Sequence, residues 1–157
     1  HLVYSTLHTN SAIATIARLF DLGLKPYVVA TALEGIIAQR LVRQVCPACR
    51  EEVAVDKALR DRLGRVFAPI ERVYRGKGCS NCHGSGYKGR VGLYEVLTLD
   101  DDLRDRIGSG ASVLEIRKAV RQMGLRGIAH HSLERVQAGE TSLEEILRVL
   151  GPQAGED

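Results

Sequence analysis

Tryptophan is absent, methionine occurs once, and aromatic residues make up only 4% of the 157 residues. So few aromatics cannot furnish stacking platforms for single-stranded nucleic acid. The formal charge of +3 is small, and acidic residues are interspersed throughout, so no nucleic-acid partner is expected. No apolar run approaches the roughly 18 residues that cross a bilayer, and no basic-then-apolar leader marks a secretory signal. Phosphate-transfer machinery is missing too. The chain has no G-x-x-x-x-G-K loop followed by Ser or Thr, no apolar strand ending in an acidic pair for Mg²⁺, and no nucleophile beside a base. Taken alone, this chain is not expected to be an enzyme.

What is present suits a soluble globular protein, with 45% hydrophobic and 26% charged residues. The length fits one ordinary domain, or a small domain fused to a piece of another. Leu2 to Leu7 reads as a buried strand of a parallel sheet, entered at His1 without a polar lead-in. Asn10 and Ser11 supply caps for a helix over 11–22, which Gly23 stops, and Pro26 opens a longer helix over 26–44. Composition shifts at Cys46: residues 46–98 hold all four cysteines, and 76–92 hold six glycines. A helix near 56–63 and strands near 71–75 and 90–97 are expected there. Beyond Asp100, helices near 100–107, 112–122, 125–138 and 142–149 would form a small bundle. Ser112-x-x-Glu115 and Ser142-x-x-Glu145 both fit a capping box. The tail over 151–157 reads as flexible.

Cys46-Pro-Ala-Cys49 and Cys79-Ser-Asn-Cys82 are two C-x2-C turns separated by 29 residues. Each turn aims two sulfurs at one centre, and two turns complete the tetrahedron that zinc prefers. Four protein sulfurs leave no open position, so the expected zinc is structural. Gly84 and Gly86 let backbone amides approach the sulfurs, while Arg43, Arg50, Lys77 and Lys88 bring positive charge near a centre of formal charge −2. His83 is a weaker alternative ligand.

His8 falls just beyond the expected strand and just before a helix start. Ligands of open α/β sheets bind at such carboxyl ends, and helix N-termini favour anions. The alternative is a histidine that only caps or packs locally.

Several segments together resemble the hexameric assembly ATPases of type II secretion systems and type IV pili. His1-Leu-Val-Tyr-Ser-Thr-Leu-His8-Thr-Asn10 is similar to that family's histidine box. Ala38-Gln39-Arg40-Leu41-Val42-Arg43 leading into Cys46-Pro-x-Cys49 resembles the secretion and pilus-extension branch. Cys79-x-x-Cys82-x-Gly-x-Gly-Tyr87-x-Gly-Arg90-x-Gly-Leu-Tyr-Glu95 resembles the second half of its tetracysteine motif, and Met123 through Glu145 its C-terminal helices. The resemblance runs from residue 1 to about 150. It implies an α/β chain in three parts: residues 1–45 from a RecA-like core, a zinc module over 46–98, and a helical bundle over 99–150. It implies a homo-hexamer at the cytoplasmic face of the inner membrane, using ATP and Mg²⁺ to drive a membrane platform protein. His8 would sense the γ-phosphate, with Thr6, Thr9 and Arg40 as lesser nucleotide-site candidates. The family's phosphate loop, acidic box and Mg²⁺-holding carboxylate are absent from this sequence. The expectation is therefore a piece of the ATPase that is inactive alone.

Overall fold

Ser11 has extended backbone, and its Oγ accepts from the Ala14 amide at 3.2 Å. This cap starts helix α1, Ala12–Asp21, which buries Ala12 and Ile16. Gly23, at φ +86°, takes the chain out of the helix. Pro26 opens helix α2 as expected, but α2 covers only Pro26–Ala32. These assignments come from a computed structural model, which describes residues 1–152.

The expected helix over 26–44 is corrected at this point. Leu33 turns extended (φ −86°, ψ 118°), and residues Gly35–Val45 form strand β1. Ile36, Ala38, Val42 and Val45 are buried while Ile37 and Leu41 are exposed. Ile36-Ile37 and Leu41-Val42 fit one helical face as readily as a strand, but burial at 36 and 38 follows the period of two. Three of the four buried residues are β-branched, and the strand accommodates them.

Strand β2, Arg50–Ala54, had no counterpart among the sequence expectations. It pairs antiparallel with β3, Arg72–Gly76, in the register Arg50↔Gly76 through Ala54↔Arg72. Helix α3, Lys57–Leu63, lies between them and is capped by Asp56, whose Oδ1 accepts from the Ala58 amide at 2.8 Å. Strand β4, Tyr87–Thr98, pairs with β1. Four helices follow: α4, Asp101–Gly108; α5, Val113–Gln122; α6, Ile128–Gln137; and α7, Leu143–Leu150.

The chain divides into two compact units, each discontinuous in sequence. The first comprises residues 1–39 and 95–125. Its core joins Ile16, Val29, Ile36, Leu97, Leu103, Ile107, Ile116 and Val120, from α1, α2, α4, α5 and parts of β1 and β4. The second comprises residues 40–94 and 126 onward. Its core joins Val42, Leu63, Phe67, Val73, Leu93, Val136, Leu143 and Ile146. The helices expected to form one bundle over 99–150 are thus shared out, α4 and α5 to the first unit and α6 and α7 to the second. This sorting follows from which core each apolar stripe joins, a tertiary fact that helical periodicity does not carry.

Residues 2–7 form no strand. Leu2, Val3 and Tyr4 are 70%, 77% and 88% exposed. A strand needs a neighbour for its amides and carbonyls, and none of the described residues pairs with this segment. Of the flexible tail expected over 151–157, residues 153–157 lie outside the described residues. Among the described residues, no helix is long and apolar enough to cross a membrane.

Candidate metal centre and its surroundings

The two cysteine turns are built alike. The Cys49 amide donates to the Cys46 carbonyl, and the Cys82 amide to the Cys79 carbonyl, both at 3.3 Å. Far apart in sequence, they are joined by the β2–β3 ribbon. Cys49 precedes β2, Cys79 follows β3, and the Lys77 amide continues the pairing by donating to the Cys49 carbonyl at 3.1 Å. A second clasp comes from the Cys46 amide, which donates to the Gly86 carbonyl at 2.9 Å.

Two glycines make this closure possible. A Cβ on Gly76 would stand 2.1 Å from the Gly86 carbonyl oxygen, and one on Gly86 would stand 2.5 Å from the Gly76 oxygen. Gly86 also has φ +76°, which only glycine adopts freely.

The four Sγ atoms lie within 4.8 Å of one another. Cys46–Cys79 measures 3.9 Å, Cys49–Cys82 3.8 Å and Cys79–Cys82 3.8 Å. A disulfide requires about 2.05 Å, so these are separate thiols. A tetrahedral ion with metal–sulfur bonds of about 2.3 Å sets its sulfurs about 3.8 Å apart. The cluster therefore has the donor type and spacing of a Cys₄ metal site, and the four cysteines could hold one ion. His83 is exposed and outside the cluster, held at φ +51° where the second turn ends.

Electrostatics divide the sulfurs. Burial pushes the Cys49 thiol up to about 12. Burial acts on Cys82 in the same direction, but the Cys79 and Gly86 amides each donate to its sulfur at 3.2 Å and bring it down to about 6. Amides aimed at a thiolate are the support that a bound metal's ligands need.

The strand entering this centre is fixed by a residue outside the cysteine motif. Glu145, fully buried on α7, accepts from the Arg43 amide and Nε, both at 2.9 Å, and pairs with Arg43 Nη2 at 2.7 Å. Arg148 adds Nε at 2.7 Å and Nη2 at 2.6 Å. Burial opposes ionisation of Glu145, yet these donors hold its carboxyl at about 2. Around it, Thr141 Oγ1 donates to the Arg43 carbonyl at 2.9 Å, and the Val45 amide donates to the Glu140 carbonyl at 2.9 Å. The Tyr87 hydroxyl lies 2.7 Å from Ser142 Oγ, and the Arg43 guanidinium stacks 4.1 Å from the Tyr87 ring centroid. Of the two capping boxes read from sequence, Ser112–Glu115 closes in both directions. In the other, Ser142 accepts from the Glu145 amide while the Glu145 carboxylate serves the two arginines instead.

The histidine segment belongs to the first unit. Thr6 and His8 are exposed, and neither makes a hydrogen bond among the described residues. Thr9 is half-buried, with Oγ1 2.6 Å from Thr15 Oγ1. Arg40, half-buried in β1, belongs to the second unit. The start of α1 already has a side-chain acceptor, because Glu95 is buried and its Oε1 accepts from the Ala12 amide at 2.8 Å. A signal for Glu95 was present: it shares strand parity with Leu93 and Leu97, so a carboxylate sits on the buried face of β4.

An α/β chain with few strands, many short helices and two cysteine turns converging on one Cys₄ cluster defines a class of protein with a candidate four-sulfur metal site. The type II/IV secretion system protein family matches over residues 1–148, and the chain belongs to that family of secretion and pilus-assembly ATPases. It is 43% identical over 149 residues to the type IV pilus assembly ATPase PilB of Thermus thermophilus, covering 94% of this chain and 17% of that protein. It is 40% identical over 149 residues to type II secretion system protein E of Aeromonas hydrophila, covering 95% of this chain and 30% of that protein. Type II secretion system protein E of Pseudomonas aeruginosa is 43% identical over 149 residues, with the same coverage of 95% and 30%. The chain thus spans less than a third of the length of each of these relatives.

Proposed function

We propose that this chain is the metal-stapled C-terminal part of an ATPase that powers type II secretion or type IV pilus extension. The observation that carries this reading is the family match along residues 1–148, within which four cysteines reach metal-binding distance. In the whole protein, residues 1–45 contribute to a RecA-like core and 46–98 carry the zinc site, while the helices of 99–150 are divided between the two units. The protein assembles as a homo-hexamer at the cytoplasmic face of the inner membrane and moves a platform protein there. It uses ATP and Mg²⁺, and nucleic acid is not among its partners.

Cys46, Cys49, Cys79 and Cys82 hold one zinc ion. Zinc supplies folding free energy here and no chemistry, since its four positions are filled by protein sulfur. His8 contacts the γ-phosphate, with Thr6 and Thr9 as lesser candidates in the same segment and Arg40 as a further lesser nucleotide-site candidate. The exposure of Thr6 and His8 and their free polar atoms leave them available to a nucleotide. Since the sequence lacks a phosphate loop, hydrolysis belongs to the whole protein only. The test measures zinc content and phosphate release in parallel, for the full-length protein and for this chain. About one zinc per chain in both, with turnover only in the full-length protein, is the expected result. Metal-free cysteines, or turnover by this chain after contaminating ATPases are removed, would refute it.

A further inference from the structure

The second unit has a cavity of about 360 Å³, lined by Leu41, Val42, Arg43, Arg90 and Arg148. Three of these five residues are arginines, and their charges are unevenly met. Arg43 and Arg148 share one carboxylate, that of Glu145. The Arg90 side chain is exposed and makes no hydrogen bond or ion pair among the described residues. Three guanidinium groups therefore face one counter-charge, and that charge is fully buried. Cations gathered at a half-dry mouth repel one another unless an anion joins them.

The cluster is also held in place before any ligand arrives. Arg43 is fixed by Glu145 on one side and by the Tyr87 ring, 4.1 Å away, on the other. Arg148 is tied to both oxygens of the same carboxylate. Lys88, the nearest other cation in sequence, is turned aside to the Asn81 side-chain oxygen. Prepaid ordering of rotamer-rich side chains is what makes a polar site bind. Arg43 and Arg148 give their Nε and Nη2 atoms to Glu145, so each offers a phosphate oxygen its Nη1, while Arg90 offers its whole planar fork. Leu41, 52% exposed at the rim, offers an apolar wall for whatever carries the phosphate.

We propose that Arg43, Arg90 and Arg148 form an anion site for a phosphate group, carried by a small phosphate compound or by a lipid headgroup. The test titrates the chain with pyrophosphate, and separately with vesicles of phosphatidylglycerol or of phosphatidylcholine. Arg90→Gln removes one charge from a residue that holds nothing else, so the fold stays intact. Arg148→Gln is the second variant, and Lys118→Gln, at an exposed position of α5 in the first unit, controls for net charge. Near-ultraviolet circular dichroism verifies each fold. Loss of one charge-assisted contact should weaken binding about tenfold. Saturable pyrophosphate binding weakened in R90Q and R148Q but kept in K118Q assigns a small phosphate compound. Binding only to phosphatidylglycerol vesicles, with the same dependence on Arg90, assigns the headgroup. The proposal is overturned if neither probe binds saturably, if R90Q binds like wild type, or if K118Q weakens binding equally.

Discussion

Replacing Glu145 with Gln should expose how the second unit holds the strand that enters the cysteine centre. The side chain has no solvent exposure, and Arg43 and Arg148 donate to both its oxygens. Its carboxyl titrates at about 2 in the folded chain, against 4.5 for an ordinary glutamate. A folded value below the unfolded one means that stability is fully present above about 4.5 and is lost as the pH falls towards 2. One pKa unit corresponds to about 1.36 kcal/mol, so the ionised carboxylate contributes about 3 kcal/mol at pH 7. By pH 3 about 2 kcal/mol of that is gone. Gln keeps the volume but offers one acceptor where two faced the arginines, so E145Q should lose nearly the whole contribution at neutral pH.

Urea melts followed by tyrosine near-ultraviolet dichroism read this unit, because Tyr74, Tyr87 and Tyr94 belong to it, while Tyr4 and Tyr27 are exposed in the other. Acid also protonates thiolates, which affects wild type and variant alike, so the informative quantity is the gap between them. That gap should be about 3 kcal/mol at pH 7 and about 1 kcal/mol at pH 3. A gap below about 1 kcal/mol at pH 7, or one that does not narrow on acidification, would falsify the assignment of Glu145 as an ionised clamp.

Three further outcomes follow from particular contacts. Cys79→Ser, or removal of metal with a chelator, should melt the second unit at lower temperature than the first in hydrogen exchange; uniform protection in both would count against a structural metal. Gly86→Ala should cost more than about 2 kcal/mol, since the new Cβ meets the Gly76 carbonyl and the backbone is left-handed; a wild-type melting temperature would contradict the closure described. His8→Ala in the full-length protein should leave zinc content unchanged and slow hydrolysis about 10- to 150-fold, the equivalent of one hydrogen bond to a charged group; wild-type turnover would leave His8 no part in hydrolysis.

The cysteine cluster was legible because metal geometry forces a spacing that sequence records directly. Helix starts were legible for a similar reason: Ser11, Asp56, Asp100, Ser112 and Ser142 each cap a helix with their own side chain. The stretch after Ala32 was misread because Ile36-Ile37 and Leu41-Val42 satisfy two periods at once, and only their burial separates them. Strand β2 escaped notice because Arg-Glu-Glu-Val-Ala carries almost no apolar signal. Its partnership with β3 rests on main-chain pairing and on exposed ion pairs such as Arg72–Glu52 at 2.8 Å, which contribute little alone. Glu145 was hidden for another reason: it looks like a surface acid until α7 is folded and its face is known. Glu95 was readable from its parity with Leu93 and Leu97 on β4 and was passed over.

The contacts of Glu145 and of the Glu140 carbonyl bear on what a metal at the cysteine centre would do. Arg43 is gripped by Glu145 only three residues before Cys46, while Val45 and Cys46 are gripped by the Glu140 and Gly86 carbonyls. The end of β1 is therefore held from α7, from the α6–α7 turn and from the second cysteine turn. A metal with four sulfur ligands would add a fourth hold at the same place and leave no position for a substrate. Were the centre catalytic, one ligand position would be open and the surrounding contacts could be looser. If it is a staple, its loss and the loss of the Glu145 clamp act on one strand end and should not add. In a double-mutant cycle, Cys79→Ser should cost less in E145Q than in wild type, because the strand end is already released. Strict additivity would place metal and carboxylate in independent roles and refute the staple.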